Sequence, residues 1–189
     1  MGKIYESIDN KLEEWIKQQK LFFVATAPLG KEGHINCSPK GGDAFRVLSD
    51  TAAAYQDLTG SGAETIAHLE ENGRIVIMFC AFDGPPKIVR LHGRGKVVTQ
   101  NDDLFEELSN HFPPHVGTRA IIHIQVSRIS DSCGFSVPLY EYQADRDILD
   151  KWSVNQGDDG LKEYREKNNM QSIDGLPALS SEFSSSSES

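Results

Sequence analysis

Residues 54–79 read AYQDLTGSGAETIAHLEENGRIVIMF, and the hydrophobic period changes twice within them. Ala52–Asp57 has the apolar density of a strand. Leu58–Thr65 is rich in Gly, Ser and Thr and cannot continue it. Ser61 and Glu64 then stand at the S-x-x-E spacing of a capping box, ahead of Ile66, Ala67 and Leu69. This predicts a helix starting near Gly62 and stopping at Asn72-Gly73. Arg74–Ala81 (RIVIMFCA) follows as a nearly continuous apolar run, the pattern of a central strand.

Toward the amino terminus, Ile8, Leu12, Trp15 and Ile16 recur at helical spacing, and Leu21–Ala27 reads as a strand closed by the turn-like Pro28–Gly33. His34–Ser38 and Ala44–Leu48 are short strand candidates, with Pro39-Lys40-Gly41-Gly42 read as irregular between them. Toward the carboxy terminus, Ile88–Val98 alternates, and Gly93 and Gly95 in it predict a bulge or bend. Asp102–Phe112 is a short helix and Arg119–Ile129 another alternating strand. Asp131–Pro138 is a loop, and two helical fragments, Asp147–Trp152 and Leu161–Asn168, flank the Gly-containing Asn155–Gly160. Strands joined by short turns, with only two helices between them, predict an antiparallel barrel rather than a parallel sheet. The expected fold is mainly β: a six-stranded antiparallel barrel with flanking helices.

The chain has 189 residues, 38% hydrophobic and 25% charged, with a formal net charge of -9. That charge argues against a general nucleic-acid binder and against docking on anionic lipid. No apolar run approaches the ~20 residues of a membrane helix. The first residues, MGKIYESIDNKLEEW, are charged where a secretory signal would be apolar, so the expectation is a soluble cytoplasmic protein. Cys37, Cys80 and Cys133 are far apart and form no C-x-x-C pair, which predicts no zinc site and suits a reducing compartment. The six histidines are scattered, Pro113 and Pro114 separate His111 from His115, and no metal site is expected. His68 reads as a helix-surface residue.

A strand that feeds a Gly/Ser/Thr loop opening a helix is a natural anion site, because the first N–H groups of the helix lack partners and its dipole favours negative charge there. Thr59 and Ser61 would add hydroxyl donors, and Lys40 or Arg46 a cation from a neighbouring strand. The alternative reading leaves Ser61 as a cap and Lys40 in a solvated turn. Gly60-Ser61-Gly62 is no Rossmann fingerprint, since the third glycine and the βαβ context are missing.

The order FVATA, HINCSPKGGDAFRVL, AYQDLTGSGAETIAHLEENGRIVIMF and IVRLHGRGKVV, with Arg119–Ile129 as a closing strand, resembles the pyridoxamine 5'-phosphate oxidase-like split-barrel family. The resemblance implies FMN as cofactor, bound by Ser38, Pro39, Lys40, Arg46, Val47, Tyr55, Leu58, Thr59, Ser61 and Thr65. It implies a homodimer with two flavin sites at the subunit interface and an FMN-dependent oxidoreductase acting on a small-molecule substrate. A flavin-binding sensor without turnover, or a split barrel using deazaflavin or haem, stays open beside it. Residues 1–142 would form the split-barrel domain with its amino-terminal helix, 143–171 a helical extension, and the Ser-rich 172–189 a disordered tail. Two departures stand out. Ala63 and Glu64 occupy the place where the classical oxidases carry a basic residue, so Lys40 or Arg46 must supply the charge. The Trp- and Arg-rich carboxy-terminal motif of those oxidases is absent, which argues against pyridoxamine phosphate as the substrate. No side chain stands out as a general acid or base. Trp152 could cover a flavin ring or simply pack on the barrel.

Overall fold

The computed structural model describes residues 2–179. Its elements are β1 (Ile4–Tyr5), α1 (Asn10–Gln18), β2 (Leu21–Thr26), β3 (Asn36–Gly41), β4 (Phe45–Ser49), β5 (Ala52–Leu58), α2 (Glu64–Asn72), β6 (Arg74–Cys80), β7 (Ile88–Val98), α3 (Leu104–Ser109), β8 (Thr118–Ser132) and α4 (Ile148–Asn168). The strands form one sheet in the order β3-β2-β6-β7-β8-β5-β4, with β1 added on β8, and every pairing is antiparallel. The sheet curls into an incomplete barrel. Phe22 of β2 and Phe79 of β6 meet Phe45 of β4, at the opposite end of the strand order, with ring centroids 5.3 and 5.1 Å apart. Tyr55 of β5 closes the same cluster at 5.7 Å from Phe22.

This core explains the sequence pattern. Inward-facing Ala120, Ile122 and Ile124 of β8 join the main core with Leu12 and Ile16 of α1. Ile121 faces the other way, into a second cluster with Leu108 and Phe112 around α3. Both faces of β8 are therefore covered at Ala120-Ile121-Ile122, and the strand returns to alternating burial beyond them.

Several expectations need correction. The sheet has eight strands, not six, because the expected strands already numbered seven and β1 adds an eighth. Two residues are too short to carry a periodic signal; β1 exists because Ile4 and Tyr5 pair with Ser130 and Ile129. Pro39-Lys40-Gly41 is not irregular: β3 runs through it, with Phe23 opposite Pro39 and Phe22 opposite Lys40. Proline is tolerated because β3 lies at the end of the strand order, where its missing N–H breaks no ladder. The capping box does not form. The N-cap of α2 is Ala63, no side chain caps the helix, and the Glu64 carboxylate instead accepts from the Ile173 N–H at 3.3 Å.

The predicted stop of α2 holds: Gly73 takes a left-handed φ of 69° and its N–H bonds the Leu69 carbonyl. The irregularity expected at Gly93 is found between His92 and Gly93, but the extra residue sits on the facing strand: His92 pairs with Arg128 and Gly93 with Val126, so Ser127 of β8 is the bulged residue. The two carboxy-terminal helical fragments meet at Gly157, whose φ of 63° and ψ of -179° interrupt α4. Residues 172–179, expected as part of a disordered tail, are ordered. Residues 169–179 fold back on the barrel, where Ala178 and Leu179 are buried in the main core. The rest of the Ser-rich tail, 180–189, lies outside the described residues.

Candidate functional site

A cleft of about 300 Å³ opens beside the loop between β5 and α2. Ser38, Pro39 and Lys40 of β3 form one wall, Leu58, Thr59 and Thr65 another, and Arg119 of β8 reaches its floor. Six of the ten residues singled out from the sequence thus come together. The other four do not. Ser61 is exposed and does not line the cleft. Tyr55 is fully buried in the aromatic cluster beneath it. Arg46 and Val47 line a separate hollow between α1 and β4. The Arg46 guanidinium is engaged there by Asp43, with Nη1–Oδ1 and Nη2–Oδ2 both 2.7 Å, and by the His111 carbonyl at 2.7 Å.

The cleft is built on a buried ion network. Asp57 is fully buried and accepts from Lys40 Nζ at 2.8 Å and from Arg119 Nε at 2.6 Å. Burial alone would raise the carboxyl; the Arg119 and Lys40 charges overcome it and bring the pKa down to about 2. Asp57 pairs with Ala120 but Leu58 pairs with Thr118, so Arg119 is the extra residue of a bulge in β8. Bulges re-aim side chains in this way. Arg119 Nη1 donates to the Asn169 side-chain carbonyl at 2.9 Å. Arg165 lies alongside, donating from Nε to Thr59 Oγ1 at 2.8 Å and from Nη2 to the Thr118 carbonyl at 3.0 Å.

The hydroxyl groups divide their roles. Thr59 donates to the Gly117 carbonyl at 2.9 Å and accepts from Arg165, so it braces the loop rather than serving a ligand. Ser38 donates to Asn36 Oδ1 at 2.9 Å, and Asn36 Nδ2 donates to Thr65 Oγ1 at 3.0 Å. Ser38 therefore presents acceptor lone pairs, and Thr65 keeps its hydrogen to donate. Behind them, Asn36 Nδ2 also reaches Thr26 Oγ1 at 3.3 Å, which lies 2.9 Å from His68 Nδ1. His68 is fully buried, not on the helix surface as its sequence position suggests, and burial lowers its pKa.

A second hollow of about 860 Å³ shares Pro39, Gly41, Leu58 and Leu149 with the cleft. Tyr140, Tyr142 and Phe82 line it, and Phe82 stacks on Tyr140 at 5.4 Å. Trp152 is not part of either; it packs edge-on against Tyr164 at 5.0 Å. Among the described residues, no group of three His, Cys, Asp or Glu side chains could hold a metal ion, and no helix is long and apolar enough to cross a membrane.

Asn36, Asp57, Arg119, Arg165 and Asn169 were not singled out as site residues from the sequence. Asp57 and Arg119 did leave a signal, as opposite charges each one residue from an end of its strand. Arg165 and Asn169 left none, because their separation from the loop exceeds a hundred positions.

These elements define the class of structure: a curled antiparallel barrel with a cleft at a loop-helix junction. The sequence profile of the pyridoxamine 5'-phosphate oxidase family matches residues 8–133, and the chain belongs to that family. It is 40% identical over 200 residues to the pyridoxamine 5'-phosphate oxidase family protein ustO of Aspergillus flavus, covering 96% of this chain and 79% of that protein. The fold is similar to that of HupZ from Group A Streptococcus, with a TM-score of 0.53 and 23% identity over 71% of this chain and 99% of that one. A HupZ variant gives the same TM-score at 24% identity, covering 66% of this chain and 99% of the other.

Proposed function

We propose that this protein binds FMN and works as an FMN-dependent oxidoreductase on a small substrate other than pyridoxamine phosphate. The observation that carries the reading is the convergence of Lys40 and Arg119 on the uncapped amino terminus of α2. The donor set fits a phosphate. Unsatisfied helix N–H groups and two cationic side chains suit a dianion. Lys40, Arg119 and Arg165 outnumber Asp57 and Glu64 around it. The adjoining aromatic-lined hollow has the size and surface for a flat heterocycle, within the ~300–1,000 Å³ usual for ligand pockets. The exposed Leu139, Tyr140 and Tyr142 at its edge are in keeping with a homodimer whose second subunit covers the ring.

When bound, FMN supplies hydride and electron transfer. The chain's own residues bind and orient it. Lys40 and Arg119 hold the phosphate, Thr65 donates beside them, and Ser38 accepts a hydrogen bond from the ligand. The test is a fluorescence titration of FMN, with turnover of a reduced nicotinamide read on the loaded protein. Lys40→Ala is expected to weaken FMN roughly tenfold to a hundredfold, the worth of a charge-assisted hydrogen bond. Arg46→Ala leaves the affinity unchanged, since its guanidinium faces Asp43. A protein that takes up no FMN refutes the cofactor. FMN binding without turnover refutes the oxidoreductase half and leaves a flavin-binding protein.

A further inference from the structure

The loop that would receive the phosphate does not hold itself in place. Its helix begins at Ala63 without a side-chain cap, and the Thr59 hydroxyl is already committed to the Gly117 carbonyl. Besides Gly117, what fixes the loop lies beyond the family-matched residues 8–133, at the end of α4. Asn169 is fully buried, and its amide faces two ways. Nδ2 donates to the Gly60 carbonyl at 2.9 Å, and Oδ1 accepts from Arg119 Nη1 at 2.9 Å. One amide therefore ties the loop to the guanidinium. With Nε on Asp57 and Nη1 on Asn169, Arg119 keeps Nη2 as the donor with no protein partner among the described residues. One turn earlier, Arg165 braces Thr59 and the Thr118 carbonyl.

Asn169 is itself held. Its N–H bonds the Arg165 carbonyl, and its carbonyl accepts from the Leu179 N–H at 3.3 Å. Ala178 and Leu179 are seated in the barrel core, so the returning chain pins Asn169 from behind. A side chain fixed on both sides pre-organises what it touches and lowers the ordering cost of binding.

We infer that Arg165 and Asn169 form a carboxy-terminal clasp that positions the phosphate subsite and so makes the site selective for a phosphorylated flavin over the same flavin without phosphate. The inference rests on the FMN reading above. Arg165 and Asn169 are positioning residues: they act through Thr59, Gly60 and Arg119. The clasp bears on the phosphate end alone, so loosening it reduces FMN affinity and spares riboflavin, which carries the ring without the phosphate.

The test measures FMN and riboflavin affinity by fluorescence quenching for the wild-type protein, Asn169→Ala and Arg165→Met, with a thermal melt of each. Arg165→Met keeps the apolar stem and carries the test if Asn169→Ala fails to fold. Asn169→Ala is expected to lose about tenfold in FMN affinity, the worth of one or two net hydrogen bonds. Arg165→Met shifts the same way, and riboflavin affinity stays near wild type in both. A wild-type protein that favours FMN while both variants keep the same FMN-to-riboflavin ratio overturns the clasp alone. A parallel fall of both ligands overturns it too, because that is what loss of structure produces. A wild-type protein that binds neither flavin refutes the cofactor reading on which the clasp depends.

Discussion

Replacing Asp57 by Asn removes one charge from the centre of the ion network and leaves the shape of the side chain. Asp57 is fully buried and Arg119 is 5% exposed, so the guanidinium would be left buried without its counter-charge. Two ion contacts, at 2.6 and 2.8 Å, weaken together. Breaking one side of a buried pair costs about 3–5 kcal/mol. Total stabilities run at ~5–15 kcal/mol, so the loss is a large fraction of the whole. Lys40, only partly buried, recovers some hydration and keeps the cost toward the lower end.

The pH dependence gives a second readout. The folded-state carboxyl titrates at about 2 against a reference of 3.8. A depressed carboxyl contributes stability that is present above the reference value and is lost as pH falls through the folded one. At ~1.4 kcal/mol per unit, the difference amounts to about 2 kcal/mol, lost between about pH 4 and pH 2. Urea unfolding at neutral pH measures the first effect, and a pH series on both proteins measures the second. The Asp57→Asn profile is expected to be flatter than wild type in that acid window. An Asp57→Leu, Arg119→Met double variant should be more stable than Asp57→Asn, because it leaves no fully buried charge unpaired and Lys40, partly exposed, can be hydrated. A loss below about 1 kcal/mol, or parallel acid profiles, would refute the account of the network.

Two further outcomes test the barrel itself. Phe22→Ala removes the ring that touches Phe45, Tyr55 and Phe79, and should cost about 3–5 kcal/mol in urea unfolding; a cost under 1 kcal/mol would mean the sheet does not curl as described. Gly93→Ala places a Cβ 2.2 Å from the Gln125 carbonyl oxygen, opposite the Ser127 bulge of β8, so β7 and β8 must separate locally. A destabilisation of about 1–3 kcal/mol is expected, and a neutral result would remove the bulge from that position.

The strands and helices were legible because their signals are local. Apolar periodicity marks α1, β7 and β8 from nearest neighbours alone, and Asn72-Gly73 ends α2 because only glycine takes the left-handed cap without strain. The family could be read from the order of segments, and six of the residues singled out with it line one cleft because they sit on the strand and loop that carry the motif. Non-local geometry decided the remainder. Ser61 and Glu64 have capping-box spacing, yet Ala63 became the N-cap and Glu64 turned to Ile173, a residue 109 positions away. Lys40 and Arg46 looked equivalent as cations; the fold set Lys40 on Asp57, 17 positions away, while Arg46 turned to its near neighbour Asp43 at another hollow. Sequence by itself determined a curled antiparallel barrel with an anion-friendly junction at Leu58–Thr65. The tertiary structure alone decided which charges meet there, because Arg119 reaches Asp57 through a bulge and Asn169 reaches Gly60 through a chain that folds back from the far end of α4.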